Sequence, residues 1–85
     1  MDMEGRIKVD LEKFDGLMAE LGKILPPETK KKYKKVLELA GQYRDDSEHF
    51  LGRKDYFTSF GCIAYAHGLL DALRHAEGIY PEEAK

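Results

Sequence analysis

Asp46, His49, His67, Asp71 and His75 are the residues whose types could hold a metal ion or move a proton. His67, Asp71 and His75 fall four apart, so on a helix they lie along one slowly drifting stripe. Three ligands from one helix at that step are poor geometry for a single ion. Helical di-metal sites instead draw Glu-x-x-His pairs from two helices, with further carboxylates facing inward. Only Asp46-Ser47-Glu48-His49 comes near such a pair, and His49 falls on the polar side of its helix. Ordinary His–Asp pairing on a helix surface accounts for these residues, and no metal site is assigned. Cys62 sits among Ile63, Ala66 and Leu69, where a thiol is inert packing. Gly61 and Gly68 lie inside a helical stretch, so there is no phosphate-cradling loop. No catalytic residue, cofactor or small-molecule substrate is assigned, and enzymatic activity is not expected.

Lys30, Lys31, Lys32, Lys34 and Lys35 are the densest charge cluster. On a helical wheel they spread over roughly 200°. That spread reads as the solvated side of a surface helix. The alternative is a weak RNA- or anion-binding face. A formal net charge of -2 over 85 residues opposes it, since dedicated nucleic-acid binders are basic. Charged residues make up 35% of the chain and hydrophobic ones 42%, a balance that suits one folded domain over residues 1–85. A single cysteine can form no internal disulfide. The first six residues carry acid and no apolar stretch, so they do not read as a signal peptide. The longest charge-free run, residues 57–70, is shorter than the roughly 20 apolar residues that span a bilayer. A cytoplasmic protein without membrane contact is expected.

The elements that position these residues are helical. Three apolar stripes recur at three- and four-residue steps, and strand alternation appears nowhere. The spacing predicts helices near 3–24, 28–51 and 55–77, forming an up-and-down antiparallel three-helix bundle. Asp2 and Asp55 are the expected N-caps, Pro26 and Pro27 the first stop, and Gly52 a C-terminal glycine. Gly78 and Pro81 close the last helix, with a frayed tail over residues 82–85. That helix is apolar nearly all round, which implies packing on more than one side. Its large-residue arc holds Cys62, Ile63, Ala66, Leu69, Leu70 and Leu73. A second arc of Gly61, Ala64, Gly68 and Ala72 is expected to admit the close approach of a neighbouring helix. Asp10 and Arg44 each interrupt an apolar stripe. Reflection of the chain about Pro26 sets them level, so a buried ion pair between them is expected.

Tyr43-Arg44-Asp45-Asp46, Phe50 to Tyr56, and above all Tyr65-Ala66-His67-Gly68-Leu69-Leu70-Asp71-Ala72 resemble the archaeal family catalogued as domain of unknown function 357. The resemblance covers the second and third predicted helices. It implies a small archaeal three-helix bundle, similar in shape to albumin-binding modules, and carries no assigned reaction. The family's motif maps onto Tyr43, Asp46, Asp55, Tyr65, His67, Gly68 and Asp71. Beside it, Tyr56, Phe60, His67, Asp71 and Arg74 share an arc of the last helix that neither of its packing surfaces claims. A strip mixing aromatic, His, Asp and Arg side chains suits a protein partner better than a catalytic pocket. The leading expectation is a non-enzymatic interaction module that binds another protein or itself through those five residues.

Overall fold

The fold follows from where these stripes can begin, end and meet. The computed structural model describes residues 2–79, and every regular element among them is a helix: α1 (Met3–Ile24), α2 (Pro27–Lys32), α3 (Lys34–Gly52) and α4 (Tyr56–Glu77). The expected stop at Pro81 and the expected tail over residues 82–85 lie outside the described residues.

The caps follow local chemistry. An Asp2 carboxylate oxygen accepts from the Gly5 backbone N–H at 2.7 Å, and an Asp55 oxygen accepts from that of Thr58 at 3.2 Å. Each thereby satisfies a donor that a helix start leaves open. Gly78 closes α4 in the left-handed conformation, φ 65°. The Gly78 and Ile79 N–H groups return to the carbonyls of His75 and Arg74. The end of α3 corrects the expectation for Gly52, which stays helical. Lys54 takes the left-handed conformation instead, φ 63°, with its N–H on the Leu51 carbonyl and the Asp55 N–H on that of Phe50. The helix thus ends one residue later than expected, and the left-handed closing residue falls two positions later, where the N–H of Asp55, already the α4 cap, reaches back to Phe50.

The expected second helix, 28–51, is two helices. Tyr33 leaves helical geometry at φ -104°, ψ 18°, and separates α2 from α3. The bend lets its ring pack on the core, while its hydroxyl donates to a Glu77 carboxylate oxygen at 2.6 Å. Lys32 Nζ lies 3.3 Å from the same oxygen. A tertiary contact with the far end of α4 outweighs the local preference for unbroken helix.

α3 and α4 run antiparallel, as the pairs Tyr33–Glu77, Tyr43–Tyr65 and Ser47–Ser59 show. α1 lies alongside α4 in the same direction, with Glu4 beside Tyr56 and Asp10 beside His67. The core joins Ile7, Leu11, Phe14, Leu21 and Leu25 to Ala40 of α3 and to Ile63, Ala66, Leu70 and Leu73 of α4. α4 is thus the central element, packed most extensively on α3 and next on α1.

Both neighbours share the large-residue side of α4. The expected close-packing groove of Gly61, Ala64, Gly68 and Ala72 is exposed, and a Cβ added at Gly61 or Gly68 would meet nothing within 4 Å. Close approach of α3 and α4 is made on the opposite side, through Ala40, Ser47, Ser59 and Ala66. Ser47 and Ser59 are fully buried, and each hydroxyl donates to the other residue's carbonyl, at 2.8 and 2.7 Å. Two small hydroxyl side chains satisfy each other at no cost in space.

Candidate interaction face

Tyr56, Phe60, His67, Asp71 and Arg74 do share one side of α4, but they are half-buried, and α1 claims that side. The Tyr56 hydroxyl donates to Glu4 at 3.1 Å. The Arg6 guanidinium lies 5.5 Å above the Phe60 ring. His67 Nε2 is 2.9 Å from the Asp10 carbonyl oxygen, which can only accept, so this nitrogen carries the proton. The His67 ring also meets Phe14 edge-on at 5.6 Å. Asp71 and Arg74 pair with each other at 2.8 Å. Tyr56, Phe60 and His67 form the seam between α1 and α4, with the Asp71–Arg74 pair further along the same helix, which corrects the reading of the strip as unclaimed by packing. Spacing on α4 alone could not show this, because α1's reach depends on its tilt.

The carboxylates facing these tyrosines are tuned by them. Lys8 and Tyr56 hold Glu4 below the usual carboxylate range, and Tyr33 and Lys32 do the same for Glu77. The phenols of Tyr56 and Tyr33 are pushed up, first because each donates a hydrogen bond to its carboxylate, then by burial and by that carboxylate's charge.

Asp10 and Arg44 are not partners. The Arg44 guanidinium grips Asp15 with two hydrogen bonds of 2.9 Å and reaches Glu48 at 2.6 Å, while Asp10 pairs with Arg6 at 3.3 Å. The midpoint between residues 15 and 44 falls inside α2 rather than at Pro26. The chain reverses through the whole of α2, which displaces the register by more than a helical turn. Asp15 is half exposed, so the pair belongs to the surface.

Among the described residues, no three His, Cys, Asp or Glu side chains are gathered as a metal ion would need. His67 faces α1 while His75 is exposed, so the four-residue stripe diverges. The Cys62 thiol is pushed up, by burial first and then by Asp46 and Asp55, away from the thiolate that nucleophilic chemistry requires. Of the lysine cluster, Lys32 is paired with Glu77 and Lys34 with Glu38.

The distinctive surface lies on the outer side of α4. Its exposed residues are Phe57, Gly61, Ala64, Tyr65, Gly68, Ala72, His75 and Ala76, and none is Asp, Glu, Lys or Arg. Phe57 is 90% exposed and Tyr65 51%. The Tyr65 ring stands 4.6 Å from that of Tyr43 on α3. Beside Gly61 opens an apolar hollow of about 380 Å³, walled by Met3, Tyr43, Phe57, Phe60 and Cys62. These residues present area and shape, and the one imidazole among them, His75, lies at the C-terminal end of the helix.

The family profile described as "Protein of unknown function (DUF357)" matches residues 17–79. The chain belongs to the DUF357 family. The match takes in the whole of α2, α3 and α4, and so both the α1–α4 seam's α4 side and the uncharged face of this DUF357 protein. No curated protein and no solved structure gave a match. Among the described residues of the DUF357 chain, no helix is long and apolar enough to cross a membrane.

Proposed function

We propose that this DUF357 chain is a non-enzymatic interaction module whose contact surface is the outer face of α4. The observation that carries the reading is the absence of charge from every exposed residue of that helix, in a chain of which 35% is charged. Exposed apolar surface gathered on one element marks a contact site more often than chance scatter does. Of the surface first expected, Tyr56, Phe60 and His67 pack against α1 and so offer a partner less than the outer face does. In this reading α2 is the bent first turn of a middle helix, the whole an up-and-down three-helix bundle acting in an archaeal cytoplasm. Anion or RNA binding through residues 30–35 has weaker support, since two of the five lysines are already engaged with carboxylates.

The test compares Ala64→Glu on the outer face with Phe60→Ser in the α1 seam. Ala64→Glu should keep the wild-type thermal midpoint within a few degrees, because surface substitutions rarely exceed about 0.5 kcal/mol. It should nonetheless abolish the capture of protein from native-host extract. Phe60→Ser should lower the midpoint first. Equal capture by wild type and Ala64→Glu would remove the face from consideration.

A further inference from the structure

The outer face of α4 is complementary to itself. Phe57 is its one large, almost fully exposed apolar residue, and small residues follow it at helical spacing. Laid antiparallel against a second α4 about a point between Ala64 and Tyr65, Phe57 falls opposite Ala72 and Gly61 opposite Gly68. Ala64 then falls opposite Tyr65. All three pairs share one midpoint, as a two-fold axis demands. The large residue meets a small one at each end, Ala64 meets Tyr65 at the crossing, and the two glycines face each other roughly 5 Å from it.

Two features of the monomer support this placement. Glycine inside an exposed helix weakens it relative to alanine. Gly61 and Gly68 have open space beside them, so within one copy they receive no packing in return. Gly16 and Gly22 of α1 are equally open, but they lie among Lys13, Asp15, Glu20 and Lys23, where no apolar partner could settle. Charge agrees as well. No exposed residue of α4 is Asp, Glu, Lys or Arg, so two copies of the helix meet without like charges along it, and each copy carries a net charge of only -2. A basic or acidic partner would gain nothing electrostatic here.

We infer that the outer face of α4 binds a second copy of this chain, in an antiparallel two-fold dimer with its axis between Ala64 and Tyr65. This inference rests on the interaction-module reading and names its partner. Size sets the strength. The face is roughly 30 Å long, and with the flank of α3 roughly 15 Å wide. About 450 Å² per copy lies below the roughly 800 Å² of a standard stable interface, so the dimer forms and dissociates readily.

The experiment is a charge swap at the axis, followed by sedimentation. The wild-type mass should rise from 9.7 kDa toward twice that value between about 10 µM and 1 mM. Ala64→Glu and Ala64→Lys should each dissociate at least roughly tenfold more readily, since each places like charges across the axis. An equimolar mixture of the two should recover dimer. Cysteine cross-linking in a Cys62→Ser background fixes the direction. Ala64→Cys should link to itself, whereas Ala72→Cys should not, because its counterpart would lie roughly 20 Å away. Self-linking at both positions would overturn the antiparallel arrangement. A wild type that stays monomeric at 1 mM, with host protein still captured in an Ala64→Glu-sensitive way, would overturn the second copy alone. A dimer that ignores every substitution at Ala64 would overturn both this inference and the interaction face beneath it.

Discussion

The outward sides of α1 and α3 differ sharply from that of α4. Seven of the twelve exposed residues of α1 are charged: Arg6, Lys8, Glu12, Lys13, Asp15, Glu20 and Lys23. Six of the ten in α3 are charged: Lys34, Lys35, Glu38, Asp45, Asp46 and Glu48. Of the eight in α4, none is. All three helices bury one apolar side in the same core, so core-building cannot explain the contrast. α1 and α3 are built to end in water, with pairs such as Lys8–Glu4 and Lys34–Glu38 spanning successive turns. α4 is built as though its outer side also met protein.

The comparison breaks most decisively if the two sides of α4 respond alike to substitution. Leu70 is fully buried between α1 and α3, and Leu70→Ala should cost about 2–5 kcal/mol by loss of transfer energy and an unfilled cavity. Gly68→Leu, two residues away on the outer side, should leave the stability of the monomer within about 1 kcal/mol of wild type. Denaturant midpoints measured well below the dimerising range decide this. Similar losses for both would mean that the outer side is packed in the monomer after all.

The next effect probes the seam between α3 and α4. Ser59→Ala removes one hydroxyl of the reciprocal pair and leaves the Ser47 carbonyl only the bond of its own helix. The expected cost is about 0.5–1.5 kcal/mol, read from the same denaturant midpoints. An effect near zero would show that the hydroxyls contribute space alone.

Coupling between α1 and α3 should be smaller. A double-mutant cycle on Asp15 and Arg44 should return about 0.5–1 kcal/mol, since Asp15 is half exposed and solvent screens the pair. The same cycle on Asp10 and Arg44 should return nothing measurable. A reversed order would place the turn at Pro26 rather than across α2. Lys54→Gly should raise stability by up to about 1 kcal/mol, because a side chain at φ 63° is strained where glycine is not. A lowered melting temperature would show that the Lys54 side chain contributes more than its backbone costs.

The smallest effect is electrostatic. Glu4 and Glu77 are both held below the ordinary glutamate value of 4.5 in the folded chain. Their contribution is therefore present at neutral pH and fades as pH falls through that range and below. Glu77→Gln should flatten the loss of stability measured between pH 6 and pH 3. An unchanged slope would show that the contact with Tyr33 and Lys32 does not survive in solution.

Helix positions and caps were readable from the chain because they depend on nearest neighbours. The bounds 3–24 and 55–77 fall within a residue of those observed, and Asp2, Asp55 and Gly78 act where their chemistry requires. The bend at Tyr33 was not readable. Its cause, a hydroxyl bonded to Glu77, lies 44 residues away along the chain. Ser59 was missed as well, although Ser47 in an apolar stripe and Ser59 one step before Ile63 were a usable signal for paired hydroxyls.

The sequence by itself determined that α4 has two apolar arcs, one of large residues and one of small, and that the family's most specific stretch lies along them. Periodicity fixes which residues share a side, since 100° per residue is a property of the helix alone. Only the tertiary structure decided which arc meets the core. Both α1 and α3 settle on Ile63, Ala66, Leu70 and Leu73, because burying larger side chains removes more apolar surface from water. The choice turns Tyr56, Phe60 and His67 toward α1 and leaves Gly61, Ala64 and Gly68 facing outward.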